Sequence, residues 1–170
     1  MPDKRNLQPH EDPPPNVPES NTIYFCLYVS QSNLTPPANR VELDKILSSS
    51  HLRNKELDVT GALLCTAGRF AQIIEGPETS IRILMKSIEL DSRHRDCKVL
   101  SEGLTSARRF SEWTMAYLGP SIHIDRHIKP LLQNLFNRDQ TDKSISRLID
   151  LMVRQTNMRR PEGAEEDVGP

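Results

Sequence analysis

The chain has 170 residues, of which 36% are hydrophobic and 26% charged, and this supports one hydrophobic core and hardly two. A formal net charge of −1 gives no general attraction to nucleic acid or to an anionic membrane, and we expect neither as a partner. No apolar run approaches the roughly 20 residues of a membrane-spanning helix, and the first 20 residues contain no apolar signal-peptide segment. We therefore predict a cytoplasmic protein.

The N-terminal stretch, residues 1–21, contains six of the 13 prolines and almost no apolar side chain, so we predict a disordered leader. The next run, IYFCLYVS at 23–30, is rich in β-branched and aromatic residues and is apolar on both faces. This pattern predicts a central β-strand that is covered on both sides. Tyr28 and Ser30 should point to the same face of it.

A helix is predicted from Asn39, which can cap the first turn, to about Leu52, because apolar residues recur between them at helical spacing. Asn54 follows just after this helix. On local grounds it is typical of a helix C-terminal residue in the left-handed conformation.

Two apolar runs within VTGALLCTAGRFAQIIEG, at 59–76, are joined by a short loop with a glycine, which predicts an antiparallel hairpin. On its second strand Phe70, Gln72 and Ile74 share one face, because side chains alternate along a strand. Gln72 is therefore an uncharged amide among apolar neighbours. Leaving such an amide unpaired costs about 1–3 kcal/mol, so it needs a partner. Composition alone favours nearby backbone or water, and a bound ligand is the other possibility.

A second helix opens at Pro77 and Thr79 and ends near the charged cluster 91–94, typical of a basic helix end. Strands follow over 98–104 and 113–118, with Trp113 and Met115 on one face of the last strand. The order βαββαββ predicts an α+β fold, a ferredoxin-like βαββαβ sheet with an added fifth strand and two C-terminal helices.

The C-terminal region carries two apolar stripes at helical spacing. The first is formed by Ile128, Leu131, Leu132 and Leu135, with Pro130 either starting or kinking the helix, and the second, after a cap at Thr141, by Ile145, Leu148, Ile149 and Met152. We expect this extension, residues 121–158, to cover the second face of the sheet or to form a subunit interface. Residues 159–170 form a charged tail.

Motifs of catalysis and metal binding are missing from the sequence. It contains no GxGxxG or Walker loop, no HExxH and no recognisable Ser/His/Asp or Cys/His motif. Its three cysteines, Cys26, Cys65 and Cys97, form no CxxC pair. We expect them to be reduced core residues, with neither a disulfide nor a metal site.

Five separated blocks occur in a distinctive order: LYVSQS at 27–32, N-x5-TGALL at 54–64, GRFAQIIEG at 68–76, DSRH at 91–94 and RRFSEWTM at 108–115. Together they resemble the BLUF domain, a blue-light sensor that binds FAD. The resemblance covers about residues 22–120, and it is highly specific because all five blocks stand in the right order and near the right spacing.

The resemblance implies a flavin between the two helices that pack on the sheet, on the side that Tyr28 and Gln72 face. Tyr28 matches the photoactive tyrosine, Gln72 the switching glutamine, and Asn54 the asparagine that hydrogen-bonds the polar edge of the ring. Five further positions match residues that surround the flavin or the switching glutamine in relatives: Asp91, Arg93, His94, Trp113 and Met115. Of the last two, either can swing toward the flavin in relatives.

Two positions depart from the family pattern. Arg53 stands where relatives often carry histidine, and it could stack on the ring or point to water. Ser87 stands where some relatives carry a basic residue, which leaves the contacts to the ribityl or phosphate groups open.

The implied function is that of a non-enzymatic photoreceptor, in which light switches a hydrogen-bond network of tyrosine, glutamine and flavin. Because only about 50 residues follow the sensor, we expect it to signal through a separate protein partner or through a change of homo-oligomer. Two other classes stay open. One is a flavin-free ferredoxin-like regulatory or binding module, which would purify colourless. The other is a small flavin-independent enzyme with Arg53, Asn54 or His94 in an anion site, although the neighbouring HLRNKELD offers no glycine for an anion-binding loop.

Overall fold

The computed structural model describes residues 22–34, 39–66, 68–119, 128–129 and 138–158. The strands are β1 (Ile23–Ser32), β2 (Thr60–Thr66), β3 (Arg69–Gly76), β4 (His94–Thr105) and β5 (Ala116–Leu118). The helices are α1 (Asn39–Glu56), α2 (Glu78–Glu89) and α3 (Arg138–Asn157). The predicted leader, the charged tail and the stripe residues Leu131, Leu132 and Leu135 lie outside the described residues.

The five strands form one sheet in the order β4-β1-β3-β2-β5. Neighbours are antiparallel, except that β5 runs parallel to β2. The hairpin of β2 and β3 forms as predicted, and β3 pairs with β1 so that Tyr28 lies opposite Gln72. The predicted α+β fold, with a ferredoxin-like sheet and an added strand, is confirmed.

Each face of the sheet has its own core. The face under α1 and α2 carries alternate strand residues: Tyr24, Cys26, Tyr28, Leu63, Phe70 and Ile74. The opposite face carries the residues between them: Leu27, Val29, Ala62, Leu64, Ala71 and Ile73. Ile145, Leu148 and Met152 of α3 are buried in this second core. The prediction that a C-terminal stripe covers the second face is therefore confirmed for α3.

The end of α1 differs from the prediction. The helix continues to Glu56, so Asn54 lies in its last turn rather than beyond it. Backbone hydrogen bonds extend past it, since the Leu57 N–H donates to the Arg53 carbonyl and the Val59 N–H to the Asn54 carbonyl. The left-handed residue is Asp58, with a φ of 52°, so the left-handed assignment of Asn54 is wrong.

Two further boundaries move. The prediction of a basic helix end at 91–94 fails at His94, which is the first residue of β4 because this strand starts four residues before the expected Lys98. Helix α3 starts at Arg138, so the predicted cap Thr141 lies inside it.

The segment before β5 is also not the strand that was predicted. β5 begins only at Ala116, and the Trp113 N–H donates to the Phe110 carbonyl in a turn. Side chains therefore do not alternate in this segment as they do in a strand. Trp113 packs against the core under α3, whereas Met115 is buried in the core under α1 and α2. Their predicted placement on one face is wrong.

None of the helices among the described residues is both long enough and apolar enough to span a membrane. The cytoplasmic location stays a prediction.

Candidate functional site

A cleft opens between α1 and α2 above the central strands. It has a volume of about 500 Å³, counting the part open to solvent. Its lining comes from both helices, from the sheet and from the loop after α2: Tyr28, Ile46, Ser50, Asn54, Leu63, Phe70, Gln72, Leu84, Ile88, Asp91, Arg93 and His94. The cleft lies where the family resemblance predicts the flavin.

The floor of the cleft is a buried chain of three side chains. Tyr28 is 4% exposed and Gln72 5% exposed. The Tyr28 hydroxyl donates to Gln72 Oε1, and Gln72 Nε2 lies 3.4 Å from Met115 Sδ, to which it donates. Both partners of Gln72 in the described part of the chain are side chains, so the backbone partner that composition favours is wrong, whereas a water or ligand partner stays a prediction.

The chemistry of this chain leaves Gln72 free to take two orientations. A neutral phenol can donate or accept, so Tyr28 can pair with either the carbonyl or the NH₂ group of the amide. A thioether is only a weak acceptor, so Met115 holds the present orientation weakly. Burial raises the pKa of Tyr28 well above its usual range, with smaller contributions from Cys97, Cys26 and Asp91. The phenol thus keeps its proton in the resting protein.

Asn54 reaches the cleft from the last turn of α1. It is fully buried, and its Nδ2 donates to the Thr114 carbonyl at 2.6 Å. Its Oδ1 is buried without a hydrogen-bond partner in the described part of the chain. An unsatisfied buried acceptor costs about 1–3 kcal/mol, so this oxygen calls for an N–H donor inside the cleft.

The loop after α2 and the first residue of β4 close one end of the cleft with charged and aromatic groups. Arg93 Nε donates to both carboxylate oxygens of Asp91, at 2.9 Å and 3.0 Å. The hydrogen bond to Arg93 lowers the pKa of Asp91. The His94 ring lies 6.2 Å from both the Tyr28 and Phe70 rings. Its Nε2 donates to the Ile88 carbonyl at 2.7 Å, so a neutral ring keeps an acceptor at Nδ1, which is buried and unpaired among the described residues.

The segment 113–115 connects three parts of the molecule, and sequence reasoning missed its central residue. Thr114 is held by α1, because its carbonyl accepts from Asn54 and its Oγ1 lies 2.8 Å from His51 Nδ1. Trp113 on one side faces the α3 core, and Met115 on the other contacts Gln72. No local pattern marks Thr114 or His51, which are 63 residues apart.

Glu75 is a second residue whose role the sequence concealed. Its fully buried carboxylate accepts from the backbone N–H groups of Arg109 at 2.7 Å and Phe110 at 3.2 Å. The Arg109 guanidinium adds an ion pair at 2.8 Å. Because this carboxylate fixes the turn that leads into Trp113, it positions the segment 113–115. The only available signal was a carboxylate at an inward strand position.

The arrangement fits a flavin. An isoalloxazine presents an N–H, carbonyl oxygens and ring nitrogens along one edge, and the cleft offers the Asn54 acceptor, the Gln72 amide and the His94 ring nitrogen. The structure brings Tyr28, Gln72, Asn54, Asp91, Arg93 and His94 to the cleft wall, with Met115 behind Gln72. It does not bring Trp113 there, because that ring packs on the other face.

The sequence profile of the family described as sensors of blue-light using FAD matches residues 23–116, more than half of the chain. Photoactivated adenylate cyclase subunit alpha of Euglena gracilis is 34% identical over 103 residues, which are 61% of this chain and 10% of that protein. The blue light- and temperature-regulated antirepressor BluF of Escherichia coli (strain K12) is 31% identical over 97 residues, 57% of this chain and 24% of the antirepressor.

Among solved structures, the dark-state structure of BlrB, a BLUF protein, superposes with a TM-score of 0.61 at 25% identity, covering 78% of this chain and 98% of that one. The superposed region therefore corresponds to nearly the whole of that BLUF protein. The chain spans about a tenth of the length of the cyclase subunit and about a quarter of that of the antirepressor. The profile match, the fold and the five sequence blocks agree: the chain belongs to the BLUF family of blue-light sensors that use FAD.

Proposed function

We propose that this protein is a blue-light receptor that holds FAD in the cleft between α1 and α2 and responds to light by changing the hydrogen bonds of Gln72. The observation that carries the proposal is the buried Tyr28–Gln72 hydrogen bond on the cleft floor. The unpaired Asn54 Oδ1 in the same cleft supports it, because that acceptor matches the ring N–H of a flavin.

In this proposal each side chain has a distinct task. Flavin, when bound, would supply the photochemistry: once excited by light it would accept an electron and then a proton from a neighbouring phenol. Tyr28 supplies that phenol, which is protonated at rest, and takes back both the electron and the proton afterwards. Gln72 presents either its carbonyl or its NH₂ group to the cleft, and Met115 is displaced from the amide when the amide turns. Asn54, Asp91, Arg93 and His94 bind and orient the cofactor.

The change leaves the cleft, we propose, through the segment 113–115. Met115 touches Gln72, while Trp113 belongs to the core that contains α3. Thr114, which accepts the Asn54 hydrogen bond, directly precedes Met115, and Trp113, which contacts the α3 core, precedes Thr114. A rearrangement at Met115 can therefore reach both through the backbone. The recipient is a second copy of the chain or a separate protein. Size-exclusion chromatography in the dark and under blue light tests the first of these, because an oligomer change alters the elution volume.

The direct test is the visible spectrum of the full-length protein with FAD, before and after blue light. We expect bound FAD, a red-shifted spectrum after illumination and recovery in the dark. The Tyr28→Phe variant should bind FAD and show no shift, since the ring keeps its packing and loses only the phenol. A protein that takes up no FAD would instead be the flavin-free module, and a normal photocycle in Tyr28→Phe would remove Tyr28 from the mechanism.

A further inference from the structure

The two positions at which the chain departs from the family pattern, Arg53 and Ser87, are in contact. Arg53 NH1 donates to Ser87 Oγ at 2.5 Å. Arg53 precedes the cleft residue Asn54 on α1, and Ser87 precedes the cleft residue Ile88 on α2. The contact therefore joins the two helices that form the cleft walls. Since Arg53 is exposed and Ser87 half-buried, it lies at the rim rather than on the floor.

The charge of Arg53 is not compensated. The other arginine of the cleft, Arg93, is paired with the Asp91 carboxylate at 2.5 Å. Among the residues that the structure describes, no carboxylate lies within ion-pair distance of Arg53. Ser87 is a neutral partner that fixes the guanidinium in place and leaves its charge intact. Within the described part of the chain, the Arg53 guanidinium thus has no anionic partner and keeps N–H donors that can bind a ligand.

Only the phosphates of a flavin nucleotide can form an ion pair with the Arg53 guanidinium. The isoalloxazine ring and ribityl chain are uncharged near neutral pH, whereas the phosphates are anionic. Guanidinium groups match phosphate oxygens in charge and in the fork geometry of their N–H donors. The polar groups that suit the ring, by contrast, lie deeper in the cleft on Tyr28, Asn54 and Gln72.

We propose that Arg53, positioned by Ser87, binds the phosphate of the flavin nucleotide and makes the site selective for phosphorylated flavins over riboflavin. The inference rests on the proposed function, because it concerns the same cofactor.

The experiment measures the dissociation constants of riboflavin, FMN and FAD for the flavin-free full-length protein in the dark, at low and high salt. Arg53→Met should weaken the binding of FMN and FAD by about three- to tenfold at low salt and leave the riboflavin affinity unchanged. Added salt should reduce the difference between wild type and variant. Lys55→Met is the matched control, since it removes an exposed charge from the same helix. It should leave all three dissociation constants within about twofold of the wild-type values.

A charge relocation makes the test sharper. The double variant Arg53→Met, Ser87→Lys returns a cation to the rim from α2, and it should recover most of the lost FMN and FAD affinity. An equal loss for riboflavin in Arg53→Met would mean that Arg53 acts on the ring, and it would overturn the inference. So would unchanged constants. A wild-type protein that binds none of the three flavins would overturn the proposed function itself, which keeps the two failures apart.

Discussion

The two faces of the sheet are built from alternate residues of the same strands, yet they differ in what they bury. Under α3 most of the apolar side chains have no exposed surface at all, and the one buried carboxylate, that of Glu75, is paired with the N–H groups of Arg109 and Phe110. Under α1 and α2 the buried groups include the Tyr28–Gln72 pair and the unpaired Asn54 oxygen, while Leu43, Ile46 and Leu47 of α1 are only partly buried. One face is a finished core, and the other is an incomplete one that suits a cofactor.

The largest effect should come from substituting two adjacent residues of β3, Gln72 and Ile73, which point to opposite faces of the sheet. Gln72→Leu keeps the volume but removes the amide, so the light-induced spectral shift should vanish while the protein still folds and binds flavin. Its matched control, Ile73→Val, should lose about 0.5–1.5 kcal/mol of unfolding free energy and keep the shift. Absorption spectra before and after illumination measure the shift, and urea unfolding measures the free energy of unfolding. A full shift in the leucine variant would transfer the switching role to another group.

The second effect is confined to stability. Leu148 of α3 is fully buried, so Leu148→Ala should cost about 2–5 kcal/mol of unfolding free energy through lost burial and a cavity. Arg147→Ala, an exposed change on the same helix, should stay within about 0.5 kcal/mol of wild type. Flavin affinity should be the same in both variants, as measured at a temperature where both are folded. A weaker affinity in Leu148→Ala would show that flavin binding in the dark depends on the packing of the α3 core.

A third change separates flavin binding from stability on the cleft face. Asn54→Ala removes both an unpaired acceptor and the hydrogen bond to Thr114, two losses that offset each other in the flavin-free protein. We expect its unfolding free energy to change by less than about 1 kcal/mol, while flavin affinity falls about fivefold to tenfold. His51→Ala loses only the Thr114 contact and should keep its flavin affinity. Equal affinities in both variants would exclude Asn54 as a ligand.

The smallest effect concerns pH. The Arg93 guanidinium lowers the pKa of Asp91 in the folded protein. A lowered pKa stabilises the fold above the ordinary carboxyl pKa, and this contribution disappears as the pH falls through the lowered value. Asp91→Asn should therefore be less stable than wild type at pH 7, by under about 1 kcal/mol because the pair is partly exposed, and equally stable near pH 2. Urea unfolding across this range checks the sign; a gap that widens toward acid would contradict it.

Sequence patterns predicted the parts of the molecule in which regular alternation holds. The faces of Tyr28 and of Gln72 followed from strand periodicity, because β1 and β3 are regular and buried on both sides. The stripe of Ile145, Leu148 and Met152 followed in the same way from helical spacing, and its burial is observed.

The misses occur where long-range hydrogen bonds override local pattern. Trp113 and Met115 look like strand residues, but the Glu75 carboxylate, more than 30 residues away, holds the preceding turn in an irregular conformation. Asn54 looks like a residue at the end of a helix, but its side chain donates a hydrogen bond to the Thr114 carbonyl. Its place on the cleft wall came from the family resemblance and could not be obtained from spacing.

The central claim is that the Gln72 amide changes its hydrogen bonds in light. Light-minus-dark infrared spectra of the full-length protein with FAD, recorded with and without isotope-labelled glutamine side chains, test it directly. We predict label-sensitive amide bands in the wild type that are missing from Gln72→Leu. A photocycle whose spectrum contains no label-sensitive glutamine band would contradict the account.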